Sequence, residues 1–120
     1  MNPKEIVLDF YNSDALFNSK TLEGFLHPDV ILEWNSSKGF IKKDRIALLQ
    51  MADDLKIGYE AFVVQIHQIV AENNLVSVHY THFGTTIENP QQINRLAYFF
   101  AIWEVRDGKL FRGYQMSQLP

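Results

Sequence analysis

The segment Arg95–Leu119, RLAYFFAIWEVRDGKLFRGYQMSQL, decides the fold. Its first half alternates two apolar sets, Leu96, Tyr98, Phe100 and Ile102 against Ala97, Phe99, Ala101 and Trp103, so a strand here is apolar on both faces. Asp107-Gly108 interrupts the pattern with residues that tolerate positive φ, as a tight hairpin requires, and Lys109–Leu119 continues as the returning strand. A strand wetted on one side would alternate apolar with polar residues; this one needs a cover on each side. Helices can supply one cover. For the other, a second copy of the chain is the expected partner, which predicts a homodimer through the outer sheet face.

Further β-rich runs lie upstream. Glu60–Glu72 (EAFVVQIHQIVAE) and Leu75–Thr86 (LVSVHYTHFGTT) are joined by the hairpin pair Asn73-Asn74, and a loop around Pro90 leads into Arg95. Before Tyr59 the period is helical. Asn2 and Pro3 open a helix carrying Ile6, Val7, Phe10 and Tyr11; Asn18–Leu26 forms a second, capped by Ser19 and closed by His27-Pro28. Asp29–Asn35 (DVILEWN) reads as a short strand ended by the polar turn SSKG, and Lys43–Lys56 returns to a helix with Asp44 near its start. Helices followed by hairpin-linked strands predict a single α+β domain over residues 1–120, with helices on one face of a mainly antiparallel sheet.

Composition narrows the function. The 120 residues, 47% hydrophobic and 21% charged, suit one globular domain that needs neither disulfide nor metal. The chain has no cysteine, which removes zinc ribbons and thiol nucleophiles and fits a reducing compartment. A net charge of −3, with no basic run longer than Lys42-Lys43, argues against a nucleic-acid partner. No apolar run approaches the roughly 18 residues of a membrane span, and acids interrupt the N-terminal stretch, so a cytoplasmic protein without membrane contact is expected. Sixteen aromatic side chains exceed what a minimal core requires and suggest an apolar pocket or a second buried surface.

The order of elements, with Asp107–Leu110 (DGKL) opening the last strand, resembles the nuclear transport factor 2-like superfamily. Leu26–Trp34 (LHPDVILEW), Lys38–Leu49 (KGFIKKDRIALL) and Val105–Gln115 (VRDGKLFRGYQ) are similar to its SnoaL-like branch. The resemblance implies a cone-shaped fold in which a strongly bent sheet wraps three N-terminal helices and encloses a pocket. It does not choose a reaction, because the superfamily hosts isomerases, dehydratases, cyclases, epoxide hydrolases and non-catalytic adaptors. Matched residue by residue, the ketosteroid-isomerase-like base position falls on Trp34, the acidic donor position on Ala101, and the cyclase acid/base position on Gln115. None of the three titrates.

Alternation places Val76, Val78, Tyr80 and His82 inside with Phe99 and Trp103, unless a one-residue bulge exchanges His82 for His79. His82 is the residue best suited to give and take a proton. The likeness to the superfamily's dehydratases implies a relay of His82 with Tyr80, Tyr11 and Asp14; the plain alternative is a histidine satisfied at the sheet end. The expected ligand contacts are Tyr11, Trp34, Phe99, Trp103 and Gln115, with the Trp34 indole N–H offered to a ligand oxygen or simply packed in the core. No metal or cofactor is expected, since His79 and His82 project to opposite faces. Three functions therefore stand: binding of a small, largely apolar molecule, a cofactor-independent dehydratase, isomerase or cyclase, and a non-enzymatic association module acting through the outer sheet face.

Overall fold

In the structure, a computed structural model that describes residues 1–120, Asn2 caps the first helix. Its side chain accepts from the Glu5 backbone N–H at 2.8 Å, and Pro3 occupies the first turn of α1 (Pro3–Asn12), where its missing donor costs nothing. A 3-10 turn, Ala15–Phe17, links it to α2 (Ser19–Phe25). The cap of α2 is Asn18, not the expected Ser19: the Asn18 side chain accepts from the backbone N–H groups of Lys20 and Thr21. The expected break at His27-Pro28 is also corrected. These residues lie inside β1 (Leu26–Ser36), and Pro28 is tolerated because the ladder to the neighbouring strand is interrupted between Leu26 and Ile31.

The approach to the third helix holds a strand that the sequence did not announce. Gly39–Asp44 forms β2, a hairpin partner of β1 in which Phe40 and Ile41 are both exposed, so no inside–outside alternation was available to read. Asp44 caps α3 (Arg45–Gly58) by accepting from the Ala47 N–H at 2.9 Å. Then follow β3 (Tyr59–Glu72), β4 (Leu75–Thr86), β5 (Asn94–Arg106) and β6 (Lys109–Gln118). The six strands lie in the order β2-β1-β6-β5-β4-β3, antiparallel throughout except for the parallel pair β1–β6. Asn73 and Asp107 hold positive φ in the two tight hairpins, as their sequences required. The result is an α+β domain of three helices on a curved mixed sheet. No helix is long and apolar enough to cross a membrane.

The core lies between the helices and the inner sheet face. Ile6, Val7, Phe10 and Tyr11 of α1 meet Val76, Val78 and Tyr80 of β4 and Phe99, Ala101 and Trp103 of β5. Gly113 permits the closest approach: a Cβ there would stand 2.5 Å from Trp103 Cζ3 and 2.8 Å from a Leu32 methyl. On the other face of β5 the alternate set stays open, with Phe100 62% and Ile102 43% exposed. Irregularities on β3 at His67 and on β5 at Leu96 leave the β4 alternation intact, so His82, not His79, faces inward.

Candidate functional site

The inward rows of β1, β4, β5 and β6, closed over by the helices, line a chamber of about 90 Å³. Thirteen of its 15 lining residues are hydrophobic, and the two others are His82 and Gln115. Tyr11, Trp34, Tyr80, Phe99 and Trp103 supply aromatic walls. A second chamber of about 380 Å³ adjoins it, reaching the Ser36–Gly39 turn and the residues Tyr59, Phe62, Leu96, Ser117 and Leu119. The two share Trp34, Met51, Leu55, His82 and Phe99. The two chambers, an inner room and an outer vestibule, meet at these shared side chains, the waist between them.

Most of the polar atoms in the walls are already paired. The Trp103 indole N–H donates to the Tyr11 hydroxyl at 2.9 Å, and the Tyr11 and Tyr80 rings lie 4.7 Å apart. Burial pushes the Tyr11 phenol up to about 12, against the weaker opposing effects of Trp103 and Tyr80; burial also raises Tyr80 well above its ordinary value, with Tyr11 adding to the rise. Both phenols are therefore neutral hydrogen-bonding groups at pH 7. Trp34 donates its indole N–H to the Ser117 hydroxyl at 2.9 Å, so the expectation that this N–H is free for a ligand is corrected. Tyr80 stacks on Phe99 at 4.9 Å with ring planes 2° apart, forming a flat wall.

His82 and Gln115 differ. His82 packs edge-on against Phe62, with ring centroids 4.5 Å apart, and its Nε2 is buried without a hydrogen-bond partner. Burial pulls its imidazole down to about 4, so the ring is neutral at pH 7 and carries one donor and one acceptor nitrogen. Gln115 is 9% exposed. It stands in a cross-strand row with Trp34 on β1 and Ala101 on β5, the three positions at which the sequence comparison looked for acids.

The structure thus brings His82, Tyr80 and Tyr11 into one cavity with Trp34, Phe99, Trp103 and Gln115. Asp14 is the exception and a correction to the expected relay. It is an exposed residue beside the 3-10 turn and does not line the cavity; Thr21 and Asn18, the latter donating at 2.8 Å, hold its carboxyl below the usual range. No hydrogen bond joins His82 to Tyr80, Tyr11 or Asp14. No cluster of His, Cys, Asp and Glu is arranged to hold a metal ion. Sequence reasoning missed Met51 and Leu55, whose i,i+4 spacing on α3 was a usable signal, and Ser117 and Phe62, which only the sheet's curvature brings to the cavity.

A profile described as the SnoaL-like domain matches residues 7–113. No curated protein is significantly similar to the chain. Among solved structures, wild-type IdmH from Streptomyces antibioticus, a candidate polyketide cyclase, superposes with a TM-score of 0.76 at 17% identity, over 98% of this chain and 92% of its own. A candidate SnoaL-like polyketide cyclase from Shewanella denitrificans OS-217 gives 0.73 at 10% identity, over 96% and 89%. An LEH-like epoxide hydrolase of M. tuberculosis gives 0.68 at 22% identity, over 96% and 81%. At these identities the likeness is one of fold.

Proposed function

The chain belongs to the SnoaL-like domain family, and from that premise we propose that it binds a small, largely apolar molecule in the two-chambered cavity. One observation carries this reading: no carboxylate lines either chamber, while aromatic and aliphatic side chains form nearly all of the inner wall. Burying an apolar ligand there gains about 25 cal/mol per Å² of surface removed from water, and a few polar contacts then fix its orientation. Gln115 and His82 are the orienting groups, because the Tyr11, Trp34 and Trp103 polar atoms are engaged with one another or with Ser117.

The test is a titration with steroid-like, polyketide-like and fatty-acid-like compounds, read by tryptophan fluorescence. Both tryptophans of the chain line the inner room, so a ligand there changes emission directly. A saturable change with at least one class supports the reading; none with any class overturns it.

A second reading, proton-transfer catalysis by His82 with Tyr80 or Tyr11, is favoured by the unpartnered His82 Nε2 at the waist. It predicts turnover that is lost on His82→Phe with the fold intact. Separately, we propose that the chain forms a homodimer packed through the outer sheet face, where Phe100, Ile102, Tyr114 and Met116 are exposed, which would leave the cavity on the opposite side free.

A further inference from the structure

The vestibule has a single charged residue in its wall. Lys38, in the turn between β1 and β2, lines it, and no Asp, Glu or Arg lines either chamber. That turn is braced: the Lys38 backbone N–H donates to Ser36 Oγ at 3.1 Å, Gly39 holds φ +111°, and the Leu119 N–H donates to Ser37 Oγ at 3.3 Å. Lys38 itself takes part in neither ion pair of the chain, which are His27–Asp107 and Arg106–Glu104. A cavity that is apolar inside and has one lysine, exposed and outside both ion pairs, in the turn at its outer end discriminates between the two ends of a ligand.

We propose that the ligand is an amphipathic monocarboxylate, held with its apolar tail through the Trp34–His82–Phe99 waist into the inner room and its carboxylate at Lys38. This rests on the apolar-ligand reading above and adds to it a head group and an orientation. An ionised carboxylate cannot enter the inner room, where no cation compensates its lost hydration. At the turn it remains partly hydrated, meets Lys38, and has the nearby hydroxyls of Ser36, Ser37 and Ser117 in the same chamber wall. A single ammonium matches a monoanion, whereas a phosphate dianion would leave charge uncompensated.

The experiment compares octanoate with octan-1-ol, which share a tail and differ in the head, on the intact chain and on Lys38→Gln and Lys38→Glu. Because Lys38 is exposed, both variants keep the fold, and circular dichroism verifies it. Octanoate affinity should fall about fivefold in Lys38→Gln, as expected for a partly exposed ion pair, and further in Lys38→Glu, while octan-1-ol is unaffected. The effect on octanoate should shrink at high salt. Equal effects of the variants on the two ligands, or none on octanoate, would overturn the proposal while leaving apolar binding intact. Failure of both ligands to bind the intact chain would overturn the apolar-cavity reading and the proposal with it.

Discussion

Trp34 of β1 and Gln115 of β6 are register partners across the one parallel pair of the sheet, and Ala101 of β5 stands on the far side of Gln115. Three positions at which the sequence comparison looked for acids therefore lie side by side in the sheet, occupied by an indole, an amide and a methyl group; the indole and the amide line the inner room, and Ala101 is buried beside them. Under the proposed function this row offers a ligand one hydrogen-bonding group, the Gln115 amide, in addition to the His82 ring across the room.

Gln115→Leu should consequently separate polar from apolar recognition. A ligand whose carbonyl meets the amide should lose about tenfold in affinity, near the net value of one buried hydrogen bond, while a pure hydrocarbon probe should bind as well as before. Fluorescence titration of the two probe types against the variant measures the difference.

The His82 imidazole is held at about 4 by burial, below its ordinary 6.5. A histidine with a lowered folded pKa binds fewer protons than in the unfolded chain, so stability is full above about 6.5 and is lost as pH falls toward 4. The linkage is of order 3 kcal/mol across that window. Thermal unfolding between pH 7 and pH 4 should show the fall, and His82→Phe should flatten it.

Gly113 and Gly24 make a matched pair of substitutions. Gly113→Ala would drive a methyl to 2.5 Å from the Trp103 ring and should cost about 2 kcal/mol or more, because relief requires shifting a buried indole whose N–H is held by Tyr11. Gly24, in α2, has nothing within 4 Å of its would-be Cβ, and Gly24→Ala should stabilise by roughly 0.5–1 kcal/mol. Urea unfolding of both variants checks the signs.

Phe100 is 62% exposed on the outer face of β5 while its neighbours Phe99 and Ala101 are buried. Under the homodimer proposal, sedimentation equilibrium should give a dimer for the intact chain and a monomer for Phe100→Asp, with ligand binding retained by the monomer. A monomeric intact chain would contradict it.

These outcomes also mark what the sequence could and could not reveal. The alternation of Leu96–Trp103 and the Asp107-Gly108 turn carried strand identity, face and register together, because a period-two pattern bounded by a turn leaves little freedom. Val76, Val78, Tyr80 and His82 were placed inside by the same logic. β2 was illegible because an exposed edge strand has no buried face to give it a pattern. Asp14 lies outside the cavity because α1 ends at Asn12 and leaves it on the bend before the 3-10 turn, where Thr21 and Asn18 hold it; helical periodicity does not reach such a bend. The pairing of Trp34 with Ser117 depends on two strands 83 residues apart in sequence lying parallel, which no local pattern encodes.

The central claim, an apolar ligand in the inner room, is tested most directly by titrating a neutral apolar fluorophore such as N-phenyl-1-naphthylamine into the intact chain and into Leu48→Phe. Leu48 is a buried inner-room residue, and the larger side chain takes up the space that the ligand needs. The account predicts saturable one-to-one binding with quenching of Trp34 and Trp103 in the intact chain, and its loss in the folded variant. Absence of saturable binding in the intact chain, or equal binding in both, would contradict it.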